Sequence, residues 1–203
     1  MTYENFSKCK ILVRDFYCRD TSTVARELLG KVLVKVNGSE NVGGVIVETE
    51  AYYGRGDPAS HAFRGATPRA GIMFGRPGIS YVYLCYGMYY LLNVVTETEG
   101  NPGAVLIRAL EPVWGIDIMR KRRGTKENAG LTSGPGKLTV AMGINGNDNG
   151  KDLTEIETGL NIFNSMENVS DLEILVSERV GIKNGKGKLL RYFLKNNKFV
   201  SNT

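Results

Sequence analysis

The chain has one histidine, one tryptophan and three cysteines among 203 residues. Cys9, Cys18 and Cys85 are an odd number and lack the spacing of metal ligands. With His61 as the lone histidine, this argues against a Cys/His zinc site, and the cysteine usage fits a reducing compartment. No apolar run approaches the roughly 20 residues that span a bilayer. The start, M-T-Y-E-N-F-S-K, has no apolar stretch of the kind a signal peptide carries, so none is expected. Internal repeats, low-complexity tails, βαβ alternation, a G-x-G-x-x-G fingerprint and a Walker pattern are also missing. Together these absences argue against a membrane protein, a disulfide scaffold, a zinc module and the common nucleotide-binding folds.

What is present is an ordinary globular balance: 23% charged and 42% hydrophobic residues, with a net charge of +5. That length and balance predict one domain over residues 1–203, with a substantial core. The charge is compatible with a polyanionic partner, and it is uneven, with R-K-R-R at Arg120 to Arg123.

Ten tyrosines and 25 glycines are the other surplus. Five of the tyrosines fall in Ile79 to Val95, I-S-Y-V-Y-L-C-Y-G-M-Y-Y-L-L-N-V-V. β-branched and aromatic residues on both sides of Gly87 predict two strands joined at that glycine, which takes positive φ without a steric cost. A helix with Tyr83, Tyr86, Tyr90 and Asn93 in one stripe is the competing reading. The hairpin puts Tyr86 at its tip, and alternation puts Tyr81 and Tyr83 on one face.

Elsewhere, Thr21, Ser22 and Thr23 offer N-cap oxygens to a helix closed by Gly30. Lys31 to Val36 alternates as a strand, Gly43-Gly44 ends a loop, and Val45 to Tyr52 is the next strand. Tyr53 to Gly78 is rich in Gly, Pro and Arg and has no periodicity, which at that length marks a functional or disordered loop. It carries His61, Arg64, Arg69 and Arg76. Ala104 to Leu110 is a strong strand, and W-G-I-D-I-M-R-K-R-R after Glu111-Pro112 reads as a helix. Ser133 to Lys137 opens a short helix whose N–H groups suit a phosphate or form a plain turn. Leu160 to Phe163, Leu172 to Val176 and L-R-Y-F-L near Tyr192 read as strands. The sum is an α+β fold, a single mixed domain on a mostly antiparallel sheet.

Two strong strands carry charge where their pattern predicts burial. Alternation puts Ile46, Glu48, Glu50 and Tyr52 on one face, and Ala104, Leu106, Arg108 and Leu110 on another. A solvated face or a plain ion pair explains Glu50 and Arg108. So does a pocket in which Glu50 acts as general base on a water that Arg108 helps to hold, with tyrosines and His61 as walls.

At this point five segments, in order, resemble one family: V-E-T-E-A-Y (47–52), His61, Y-V-Y-L-C-Y-G-M-Y-Y-L-L-N (81–93), V-L-I-R-A-L-E-P (105–112) and S-G-P-G-K-L (133–138). They are similar to the alkyladenine (3-methyladenine, methylpurine) DNA glycosylases. The resemblance runs from about Ala25 to Gly143 and is loose beyond. It implies a curved, open-barrel-like antiparallel sheet with a protruding β-hairpin, and base excision repair by a monofunctional DNA glycosylase. Such an enzyme flips alkylated purines (3-methyladenine, 7-methylguanine, with hypoxanthine and ethenoadenine as further candidates) and hydrolyses the N-glycosidic bond. Carried over by position, Glu50 is the general base and Arg108 helps to place the water. Tyr52, His61, Tyr83 and Asn93 form the base pocket, Asn93 resisting guanine's exocyclic amine. Tyr86 is the wedge in the duplex, with Met88 beside it in the minor groove. Tyr81, Tyr89 and Tyr90 are left to packing.

The resemblance further implies no cofactor and no metal. The partner is double-stranded DNA with alkylated or deaminated purines, with no membrane, for a monomer that is cytoplasmic and nucleoid-associated in a bacterium or nuclear in a eukaryote. Three other readings stay open: a lesion-binding protein without catalysis, a bifunctional glycosylase/lyase using a lysine such as Lys137, and a tRNA-binding module of similar barrel fold.

Overall fold

The structure is a computed structural model that describes residues 10–164 and 172–201; Cys9 lies outside them. Eight strands form one sheet: β1 (Val32–Lys35), β2 (Val42–Tyr53), β3 (Ser80–Cys85), β4 (Tyr89–Thr96), β5 (Gly103–Trp114), β6 (Leu160–Phe163), β7 (Ile174–Ser177) and β8 (Arg191–Leu194). The order is β3-β4-β5-β2-β1-β6, with β8 joining β2 to β7. Every strand pairing among the described residues is antiparallel, and the sheet curls into a half-barrel. The α+β expectation holds.

The axis of the sheet is β2 against β5. The pair runs from Gly43↔Trp114 to Tyr53↔Gly103. On its other edge β2 is shared: β1 takes Val42–Val45 and β8 takes Glu48–Glu50. Four helices, α1 (Arg14–Tyr17), α2 (Thr21–Glu27), α3 (Ile116–Arg123) and α4 (Pro135–Met142), complete the described regular structure with short 3-10 turns. Helix α2 packs on β2 and β5, α4 on β4 and β5, and α3 on α4. Between them and the sheet lies the main core, with Val24, Leu28, Ile46, Val47, Ile107, Leu110, Leu138 and Met142 buried in it.

Several element boundaries differ from the sequence reading, each for a physical reason. The N-cap of α2 is Asp20, whose Oδ1 accepts the Thr23 N–H at 2.9 Å. Thr21 is instead buried, its hydroxyl bonded to Thr96 and Glu97. Gly43 and Gly44 lie inside β2 rather than in a loop. A Cβ on Gly44 would stand 2.9 Å from the Glu111 carbonyl oxygen, so the close approach of β5 requires glycine there. Strand β5 runs through Glu111-Pro112 to Trp114, and α3 begins only after Gly115 turns the chain at φ 67°.

Strict alternation also fails beside the charged residues. The β2–β5 register shifts between Ile46 and Glu48 and again between Glu48 and Thr49, leaving Val47 and Arg108 each without a paired residue opposite. Beyond these bulges Ile46 and Leu110, expected beside the charged residues, turn into the apolar core. A bulge bends a strand and re-aims its side chains. Here it faces Glu48 and Arg108 toward each other.

Candidate active site

A cavity of about 680 Å³ opens where β3 and β4, the middle of β5, the loop after β2 and the residues following β7 converge. Tyr52, His61, Tyr83, Asn93, Leu106 and Arg108 line it. Glu50 is fully buried directly behind that lining. Its Oε2 accepts the Tyr52 hydroxyl at 2.8 Å, and its Oε1 accepts the Val180 backbone N–H at 2.7 Å and stands 3.2 Å from Arg108 Nη1. All three partners of the carboxylate line the cavity. The proximity of Glu50, Tyr52 and Arg108 follows from the sheet: Glu50 and Tyr52 are two residues apart on one strand face, and Arg108 is on the bulge of the strand alongside.

Arg108 is held from two sides. Its Nε donates to Glu48 Oε1 at 2.7 Å and its Nη2 to Ser201 Oγ at 3.3 Å. Burial works against its charge, but Glu50 and Glu48 outweigh burial and raise its pKa above the ordinary arginine value. Burial pushes the Tyr52 phenol well above its usual range, and the Glu50 carboxylate adds to that, so Tyr52 remains a donor toward Glu50.

His61 begins a 3-10 turn, His61–Arg64, after Ser60, whose Oγ accepts the Ala62 N–H at 3.2 Å. Its ring meets Tyr83 edge-on, centroids 4.7 Å apart, and its Nδ1 is 2.8 Å from the Tyr81 hydroxyl. Tyr81, left to packing in the sequence reading, is thus both buried and the partner that orients His61. Burial, then the nearby Arg69 guanidinium, lowers the His61 pKa below its ordinary value, which favours the neutral ring at pH 7. Arg69 itself lies over the Tyr83 ring at 4.6 Å. Asn93, opposite Tyr81 in the hairpin register, is buried and donates its amide to the Tyr81 carbonyl at 3.1 Å.

Above the cavity stands the β3–β4 hairpin. The strand expectation holds over Ser80–Cys85 and Tyr89–Thr96. Tyr86 and Gly87 both have positive φ, 50° and 69°, the mirror-image turn geometry that suits strand twist. Tyr86 is 84% exposed and Met88 68%; Tyr86 lines the cavity mouth and Met88 does not. The hairpin is packed close to its tip, where a Cβ on Gly136, in the first turn of α4, would meet the Tyr89 ring at 2.9 Å. The Ser133–Lys137 segment therefore braces the hairpin. Along α3, Arg120 pairs with Asp117 and Arg122 with Glu40.

The sequence reading missed half of the surroundings. Glu48 is wholly buried and accepts four hydrogen bonds: from Arg108 Nε, Arg191 Nε and Ser201 Oγ on Oε1, and from the Ser201 N–H on Oε2. Arg179 forms a two-point bond to Asp57 and lies over the Tyr52 ring. Glu48 carried a usable signal in its i, i+2 spacing to Glu50. Arg179, Val180, Arg191 and Ser201 carried none, and they come from the C-terminal third, where the motif resemblance was loose.

No group of three or more His, Cys, Asp or Glu side chains among the described residues is arranged to hold a metal. No helix among them is long and apolar enough to cross a membrane.

The model of the methylpurine-DNA glycosylase family matches residues 15–198, which extends the likeness through the C-terminal third. Curated proteins that carry the name "Putative 3-methyladenine DNA glycosylase" are similar over nearly their whole length. The one from Carboxydothermus hydrogenoformans is 49% identical, covering 94% of this chain and 98% of its own. Those from Methanoculleus marisnigri and Prosthecochloris aestuarii are 48% and 47% identical, covering 92% and 94% of this chain and 96% and 90% of theirs. A match that takes in β2, the tyrosine hairpin, β5 and the C-terminal residues that close on Glu48 and Glu50 leaves one assignment: the chain belongs to the methylpurine-DNA glycosylase family.

Proposed function

We propose that this protein is a monofunctional DNA glycosylase that removes alkylated purines, 3-methyladenine and 7-methylguanine among them, from double-stranded DNA and leaves an abasic site. The observation that carries the reading is the buried Glu50 carboxylate set directly behind an aromatic cavity beneath an exposed tyrosine tip. The family and the names of its relatives support the same activity.

Tyr86 enters the duplex and fills the gap left by the extruded nucleotide. Flipping costs a few kcal/mol, least for damaged pairs, so selection begins there. The base then lies between Tyr52 and Tyr83, with His61 alongside. An N3- or N7-alkylated purine carries positive charge, and electron-rich rings attract such a cation by about 2 kcal/mol when desolvated. As the C1′–N bond breaks, its electron pair leaves with the purine and the sugar gains oxocarbenium character. Glu50 stabilises that charge and takes the proton of the water whose oxygen bonds C1′. Arg108, fixed between Glu48 and Glu50, helps to hold the water. The partners the carboxylate does have are a phenol, a backbone N–H and a guanidinium, none of them an amine nucleophile.

Incubating the protein with methylated duplex DNA and identifying the released bases tests the proposal. Free 3-methyladenine and 7-methylguanine are expected, and no adduct should be trapped by borohydride. Tight binding of methylated duplex with no abasic product would instead make this a lesion-binding protein.

Two site predictions follow from the same roles. Tyr86→Ser is expected to weaken binding of damaged duplex roughly tenfold, since a stacked aromatic contributes about 1–3 kcal/mol. Undamaged duplex should lose far less, and equal losses would reduce Tyr86 to a groove contact. Asn93→Ser should raise release of unmodified guanine. Chromatography of bases freed from undamaged DNA checks this, and no increase would end the gate role of Asn93.

A further inference from the structure

Arg179 and Asp57 form the most deeply buried ion pair in the described structure, both side chains fully inaccessible. The guanidinium donates from Nη1 to Asp57 Oδ2 at 2.7 Å and from Nη2 to Asp57 Oδ1 at 2.6 Å, a planar two-point match. A buried pair of this kind is weak evidence for stability, because desolvating both ions offsets their attraction. Here the cost is greater, because Arg179 Nε is buried with no hydrogen-bond partner among the described residues. An apolar pair would fill the space without that penalty, so the arrangement calls for another explanation.

Its neighbours supply one. Arg179 Nη1 also donates to the Ala51 carbonyl at 2.9 Å, between Glu50 and Tyr52 in sequence. Its Cζ lies 4.6 Å from the centroid of the Tyr52 ring, so the guanidinium backs the ring that lines the cavity. The next residue, Val180, points its N–H at Glu50 Oε1. On the other side, Asp57 accepts the Tyr53 N–H at 3.0 Å and the Ala59 N–H at 3.4 Å, which fixes the turn leading into His61. One ion pair thus joins the strand of Glu50, the ring of Tyr52, the peptide aimed at Glu50 and the loop of His61.

We infer that Arg179 and Asp57 are positioning residues: the pair sets the Val180 N–H against Glu50 and holds the Tyr52 ring, so that the captured base and the activated water meet in register. The inference rests on Glu50 as base and Tyr52 as base wall. It differs from a stabilising role because it predicts a loss in the chemical step for molecules that are folded. A misplacement of about 1 Å at reacting groups costs on the order of 100-fold in rate.

The test uses the full chain with Asp57→Asn, Arg179→Met and the double variant Asp57→Leu/Arg179→Met, which leaves no unpaired charge. Single-turnover excision of 3-methyladenine is measured per active molecule, with damaged-duplex affinity in parallel. Each variant, the double included, should be slower by roughly 10- to 100-fold while its affinity changes much less. A double variant with the parental rate constant, or variants whose only loss is a smaller active fraction, would overturn the inference. Hydrogen exchange of the Val180 amide gives an answer that needs no catalysis. It should accelerate in all three variants while the core amides of β5 stay protected, and unchanged Val180 exchange counts against the inference even if the parent proves inactive. An inactive parent with accelerated Val180 exchange in the variants would instead refute the proposed activity and leave the positioning of the peptide standing.

Discussion

Glu50→Gln should lower single-turnover release of 3-methyladenine on the order of 10²- to 10⁴-fold, the usual contribution of general acid–base catalysis, and leave affinity for damaged duplex largely intact. Glutamine keeps the shape and can keep most of the bonds. Its carbonyl oxygen can take the Oε1 place, accepting the Val180 N–H and facing Arg108. Its amide then faces Tyr52, whose hydroxyl can rotate to accept where it now donates. Arg108 keeps its bond to Glu48. The folded site therefore survives without the carboxylate that is to take a proton from water. A circular dichroism melt close to the parent's, together with the rate loss, is the expected pair of results. Excision within about tenfold of the parent would fall below what a general base contributes and would remove Glu50 from that role.

Glu48→Gln is expected to be the more damaging change to stability, by about 3–5 kcal/mol, as for one partner removed from a buried charge pair. Burial alone would raise the Glu48 carboxyl, but Arg108, the Ser201 N–H and Arg191 together outweigh it and hold it below the ordinary carboxylate range. With glutamine, both buried guanidiniums lose this anion, and the amide nitrogen meets donors it cannot accept from. The sign of the pH effect follows. A carboxyl depressed in the folded state contributes stability that is full above its unfolded pKa, about 4.3, and is lost as pH falls through the folded value. The parent should therefore lose stability on acidification below about pH 5, and Glu48→Gln should show a flatter acid limb. Urea melts from pH 7 down to pH 3 measure both. Equal acid slopes in the two proteins would show that the Glu48 cluster does not control acid stability.

These two glutamates also mark the limit of what could be read from sequence. The strands were legible because β-branched and aromatic residues alternate, and the hairpin because Gly87 interrupts a run of β-formers. The inner half of the site was legible for the same reason, since Glu50, Tyr52, Tyr83 and Asn93 occupy regular positions on those strands. The bulge that places Arg108 between two carboxylates was not, because a register shift belongs to two strands at once. Nor was the outer half of the site. Arg179, Val180, Arg191 and Ser201 bond to partners 122 to 153 residues away. No local period or spacing encodes such a contact. An arginine in a polar C-terminal stretch reads as a solvated charge until the chain folds it onto Asp57 or Glu48.

The backbone of Tyr86 has a further consequence. A side chain at φ 50° is in the left-handed region, disfavoured by roughly 1–2 kcal/mol for residues with a Cβ. Tyr86→Gly would relieve that strain while deleting the aromatic ring. Thermal tolerance and repair capacity should therefore pull in opposite directions at this position. A library selected only for resistance to heat would drift toward glycine here, enriching molecules that fold well and lack the wedge proposed to hold a lesion open.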